Sequence, residues 1–214
     1  MHLSFIDIIA ATTALLAIWM CGTSHVSTIL KLLAAQTGCL ALIAGLLGWQ
    51  RHAVQYLILA GVVLAVKAVA IPAYLSWSAA RLQVHRDTGV YLHSTPALLA
   101  GCVILMVGFL LAPQLSVPAL GNPAAAGMAL TLVMTGMLVM MTRRLALTQV
   151  VGFLMLDNGI FLYGLTQTHG MPLIIEMGVI LDVLVAVMVA GIIIYRLNRS
   201  FEHIDVTQLR GLRH

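Results

Sequence analysis

The sequence predicts an all-α, polytopic membrane protein, a bundle of about seven transmembrane helices. Three observations lead there. Of 214 residues, 61% are hydrophobic and only 8% are Asp, Glu, Lys or Arg, against about 25% charged in soluble domains. The apolar residues fall in runs of roughly the 20 that a spanning helix needs. These runs are continuous, not alternating like the strands of a membrane barrel. The formal charge of +4 does not point to nucleic acid. The basic residues stand singly or in pairs beside apolar runs and form no stripe interleaved with aromatics.

Segment one, residues 3–22, has no basic leader and is expected to persist as a helix. Segment two, 27–48, ends where Gly48 to His52 turns polar. Segment three, 54–79, precedes the longest internal loop, Arg81 to His93. Segment four, 92–112, runs into a Pro/Gly/Asn-rich stretch from Pro113 to Pro123. Segments five and six, 123–142 and 146–166, flank Arg143 and Arg144. Segment seven, 172–196, starts with a proline after a tight turn. This divides the chain into a four-helix region 1–120, a three-helix region 121–200 and a tail 201–214.

Lys and Arg orient the bundle. Lys31, Arg81, Arg86, Arg143, Arg144 and the tail arginines fall on one side, and the other side has only Arg51. The N-terminus is therefore expected outside and the C-terminus in the cytoplasm. No CxxC, HExxH or GxxxxGK[ST] occurs, so no iron–sulfur, zinc or nucleotide motif is present. The three cysteines read as small apolar side chains, and no two histidines stand four residues apart to share a metal. No segment outside the spans is large enough to be a soluble catalytic domain, so the chain is not expected to be an enzyme by itself.

Against this apolar background a few ionisable residues stand out. Asp157 and Asp182 lie near the middle of segments six and seven, and Lys67 near the middle of segment three. A charge at that depth costs at least about 2.5–3.5 kcal/mol, so it marks an ion path, a proton relay or a buried pair. A short turn joins segments six and seven, so both carboxyls can reach one level, and Lys67 can reach it too. Two readings follow: a lateral relay of protonatable groups linked by water, or a static salt bridge such as Lys67–Asp182 that pins helix packing. Glu176 is about one turn inside the outer end of segment seven, as a proton exit point or as a carboxylate snorkelling to the interface. Asn158 and Gln149 can hydrogen-bond to water or neighbouring helices. Pro72 frees a backbone carbonyl and kinks segment three. Arg143 and Arg144 serve as a topology anchor or contact a partner's acidic surface or lipid headgroups.

The stretches TRRLALTQVVGFLMLDNGIFL (142–162) and EMGVILDVLVAVMV (176–189) resemble hydrogenase-4 component E, a membrane subunit of group 4, formate hydrogenlyase-type hydrogenases. KAVAIPAYLSWSAAR (67–81) and the tail IDVTQLRGL (204–212) are similar to the same family. Residues 120–200 also resemble chain 4L, the small three-helix subunit of complex I, and its counterpart in multisubunit cation/proton antiporters. There an Arg-Arg pair in the inner loop precedes a helix with a midmembrane carboxylate, and the next helix carries a second. Arg143, Arg144, Asp157 and Asp182 fall at those places. The first carboxylate is usually glutamate in the family. Aspartate reaches about one methylene less, so transfer there needs an extra water or a closer partner.

The resemblance implies a non-catalytic subunit of a proton-translocating complex in the prokaryotic inner membrane, its last three helices chain 4L-like. Its partners would be antiporter-like and quinone-site-like membrane subunits and a peripheral hydrogenase arm. Nickel–iron and iron–sulfur centres would belong to that arm, with no cofactor in this chain. Two alternatives stay open. One is a purely structural scaffold between antiporter-like subunits. The other is a stand-alone small secondary transporter, which should show an inverted repeat with paired broken helices.

Overall fold

In a computed structural model, described for residues 5–81, 87, 92–117, 121–168, 178 and 191, the protein is all-α. Six helices among these residues are long and apolar enough to cross a membrane, making this a multi-pass membrane protein. They are α1 (Phe5–Gly22), α2 (Val26–Gln50), α3 (Val54–Arg81), α4 (Ser94–Leu115), α5 (Pro123–Thr142) and α6 (Ala146–Gln167). Segments one to six of the sequence correspond to them, with ends shifted by up to three residues. The seventh segment and the tail lie outside the described residues.

Local chemistry sets most of the ends. Pro123 occupies the first turn of α5, where a missing N–H costs nothing, and the Asn122 side chain caps it by accepting from Ala124 N at 3.0 Å. His52, at φ 50°, reverses the chain between α2 and α3. Helix α4 was expected to stop at Pro113 but runs on to Leu115. A proline there spoils only the final turn, and the Tyr163 hydroxyl donates to the part-buried Leu115 carbonyl at 2.8 Å.

Four helices form a ring: α1 packs on α2 and α5, and α6 packs on α5 and α2. Helix α3 flanks α2, and α4 flanks α1 and α5. The ring packs around buried Ala10, Ala14, Leu40, Ile43, Ala129, Leu132, Met155 and Leu162. The most intimate contact, α5 on α6, depends on glycine. A Cβ added to Gly136 would sit 2.7 Å from the Gly152 carbonyl oxygen, and one added to Gly152 would sit 2.9 Å from the Gly136 oxygen. Without a strong hydrophobic force between helices in lipid, such close backbone approach is a main source of association. Buried threonines add little polar cost. Thr37, Thr131 and Thr135 donate to carbonyls one turn back on their own helices.

The flanking helices are different. Helices α3 and α4 each bury only 22% of their most apolar stretch, whereas α6 buries 67%. Their outward residues, such as Leu57, Ile58, Val62, Val69, Val103 and Leu110, are apolar and exposed, as suits side chains that face lipid or another membrane subunit.

Candidate functional site: a charged pair in a buried polar layer

Halfway along the bundle, polar side chains from four helices meet. The layer contains Thr13 of α1, Gln36 and Thr37 of α2, Lys67 of α3, and Asp157 and Asn158 of α6, none more than 7% exposed. At about 1.5 Å per residue, Asp157 lies roughly 16 Å from the start of α6 and Lys67 roughly 20 Å from the start of α3. Both are near the middle of a hydrocarbon core about 30 Å thick.

The Lys67 ammonium donates to Asp157 Oδ2 in a salt bridge. Its Nζ also lies 5.6 Å from the centroid of the Phe161 ring, one turn along α6, where a desolvated cation gains a further attraction. Lys67 sits in an unusual stretch of helix. Val63–Ala70 winds as a π-helix before α-helical geometry resumes at Ile71. Pro72, buried, follows immediately. Its ring crowds the carbonyl four residues back and offers no N–H, and a widened turn relieves both problems. The expected effect of Pro72 on segment three therefore takes the form of π-winding around Lys67, a geometry frequent at functional sites.

Beside the salt bridge is a set of neutral hydrogen bonds. Asn158 Nδ2 donates to Gln36 Oε1 and to Thr37 Oγ1, each at 3.1 Å. Gln36 Nε2 donates to the Thr13 carbonyl at 3.2 Å. Gln36 was not singled out from the sequence, though its signal was present: a lone amide midway along an apolar run, at the depth of the buried charges. Asp182 and Glu176 lie outside the described residues; among the described residues Lys67 pairs with Asp157.

The two adjacent arginines separate. Arg144 is exposed. Arg143 is 3% exposed and turns inward, its Nη2 donating to the carbonyls of Thr23 at 2.7 Å and Cys21 at 2.9 Å at the end of α1. It is thus a helix C-cap, satisfying orphan carbonyls at the negative end of the α1 dipole. Arg143, expected as a topology anchor or as a contact for a partner or headgroup, here makes these internal contacts. Burial pushes its guanidinium down from the ordinary arginine value, and the charge of Asp87 opposes that.

Asp87 went unnoticed in the sequence because a carboxylate in a polar loop carries no signal. It is 4% exposed, accepts from Thr148 Oγ1 at 2.6 Å and donates its backbone N–H to Ser24 O at 3.0 Å. It closes the Arg143 end of the bundle. At the opposite end Asp7, also buried, accepts from the Asn122 side chain. Gln149 is spent locally, its amide donating to the Arg143 carbonyl at 2.9 Å.

No family model matches the chain, and no solved structure does. Hydrogenase-4 component E of Escherichia coli is 25% identical over 148 residues, covering 69% of this chain and 68% of the relative, and the Shigella flexneri protein of that name aligns equally. The uncharacterized protein Rv0085 of Mycobacterium tuberculosis is 32% identical over 210 residues. That alignment covers 97% of this chain and 96% of the relative, and the chain belongs to the family of Rv0085.

Proposed function

We propose that the protein is a non-catalytic membrane subunit of a multisubunit, proton-translocating oxidoreductase, hydrogenase-4-like and related to complex I, in which Asp157 and Lys67 belong to a proton-transfer path. The observation that carries this reading is the Lys67–Asp157 pair, two ionisable groups buried at mid-depth in a bundle of largely apolar helices. The six apolar helices and the distant similarity to a protein named as a hydrogenase component support it. Asp182 and Glu176 are the further members expected from the sequence. In this reading the C-terminus and Arg144 face the cytoplasm of a prokaryotic inner membrane. Antiporter-like and quinone-site-like membrane subunits lie alongside, and nickel–iron and iron–sulfur centres belong to a peripheral arm.

The chemistry is proton exchange along an acid–base pair. Asp157 and Lys67 hold charge of opposite sign in contact, so a change in charge on a neighbouring subunit alters which of them carries the proton. The surrounding apolar side chains keep bulk water away, so exchange is confined to groups and waters within the layer.

The test is Asp157→Asn in the native host. The affinity-purified complex is reconstituted into vesicles, energised with formate, hydrogen or NADH, and proton uptake per electron is followed with a pH-sensitive dye. The expected result is an assembled complex with a reduced proton-to-electron ratio. An assembled complex that pumps at the parental ratio would remove Asp157 from the path, and failure to assemble would favour a scaffold. A chain that purifies alone in mild detergent, without other subunits, would instead favour a stand-alone transporter.

A further inference from the structure

We infer that Asn158 is a positioning residue: pinned by Gln36 and Thr37, it holds α6 at the rotation where Asp157 meets Lys67 and walls off the α1–α2 side with groups that carry no titratable proton. The functional meaning rests on the proton-path reading above, but the placement can be tested without it.

The argument begins with a backbone oxygen. The Thr13 carbonyl can only accept, so Gln36 must present its Nε2 there, at 3.2 Å. Its Oε1 is then left as an acceptor, and Asn158 must present Nδ2 to it. The second Asn158 hydrogen goes to Thr37 Oγ1, and that hydroxyl donates onward to the Leu33 carbonyl at 2.9 Å. Both hydrogens of Asn158 Nδ2 are thereby committed, and each chain of bonds ends on a carbonyl of α1 or α2.

Two consequences follow. Successive helix residues are turned by about 100°, so fixing Asn158 against α2 fixes Asp157 about 100° further round, towards α3 and the Lys67 ammonium. A single salt bridge between two flexible side chains would tolerate several rotations of α6, but two buried amide hydrogen bonds tolerate one. The second consequence is directional. Amides, a committed hydroxyl and backbone carbonyls neither take up nor release protons near neutral pH. Among the described residues a proton on Asp157 therefore has no acceptor towards α1, and it exchanges on the α3 side, where Lys67 lies.

The experiment uses the full chain in native membranes and the lipid-soluble reagent dicyclohexylcarbodiimide, which reacts with protonated carboxyls. Labelling is read by mass spectrometry on the peptide that contains Asp157. In the parent, Asp157 is held as the partner of Lys67 and labels slowly. Lys67→Met removes the partner that holds the carboxyl, and labelling is expected to be fastest there. Asn158→Ala is expected to raise the rate roughly five- to tenfold over the parent, as loss of its hydrogen bonds lets Asp157 leave the pair. Thr37→Val, which removes one of the two acceptors, should give a smaller rise and stands in should Asn158→Ala fail to accumulate. Gln149→Ala, elsewhere on α6, should label like the parent. The proposal is overturned if Asn158→Ala, or Thr37→Val in its place, labels at the parental rate. It is overturned equally if Gln149→Ala accelerates labelling as much as Asn158→Ala, or if the parent already labels as fast as Lys67→Met. The proton-path reading fails separately, in the pumping assay of Asp157→Asn.

Discussion

Separating Lys67 from Asp157 should cost more than removing both. The two side chains are 7% and 3% exposed, so neither can turn to water when its partner goes. At an effective dielectric of about 20, unit charges in contact attract by roughly 4 kcal/mol. Removing Lys67 costs about 3–5 kcal/mol, because the Asp157 charge must be neutralised or left uncompensated. Lys67→Met also removes the contact with Phe161, worth on the order of 1 kcal/mol. The double replacement Lys67→Met, Asp157→Leu restores an apolar interior of similar volume and should be near neutral, or stabilising by about 1–4 kcal/mol. The coupling energy of the cycle should therefore exceed about 3 kcal/mol. The assay is equilibrium unfolding of the detergent-purified protein by added dodecyl sulfate, followed by far-ultraviolet circular dichroism. If the double variant loses the sum of the two single losses, the residues are energetically independent and the pair does not organise the site.

Two further outcomes follow from the same unfolding measurement. Arg143→Ala leaves the carbonyls of Cys21 and Thr23 without their donor and should cost about 2–3 kcal/mol, while Arg144→Ala, one residue on but exposed, should leave the midpoint close to the parent; equal losses would refute the capping role. Gly152→Val drives a side chain into the Gly136 carbonyl oxygen 2.9 Å away and should cost about 1–3 kcal/mol through overpacking of α5 on α6, whereas a parental midpoint would show that this contact is not close.

Much of the site was legible as a set of improbable residues. Lys67, Asp157 and Asn158 stand out because lipid leaves so few reasons for a polar side chain at mid-depth. Gln36 obeys the same rule and could have been read from the same run. Asp87 could not, because its significance comes from being drawn out of a loop into the end of the bundle. Nor could the π-winding around Lys67 be read, although Pro72, which accompanies it, was visible.

The helical class, the positions of six spans and the mid-span places of Lys67 and Asp157 were written in the order of residues, because the bilayer demands continuous apolar runs of a set length. Which charges meet was not. Lys67 and Asp157 are 90 residues apart, and their contact depends on how α3 and α6 are rotated about their own axes; on α6 the glycine contacts with α5 and the hydrogen bonds of Asn158 to α2 bear on that rotation. The divergence of Arg143 from Arg144 has the same origin. Two identical neighbours differ only in direction, and the one aimed at the end of α1 becomes part of the interior.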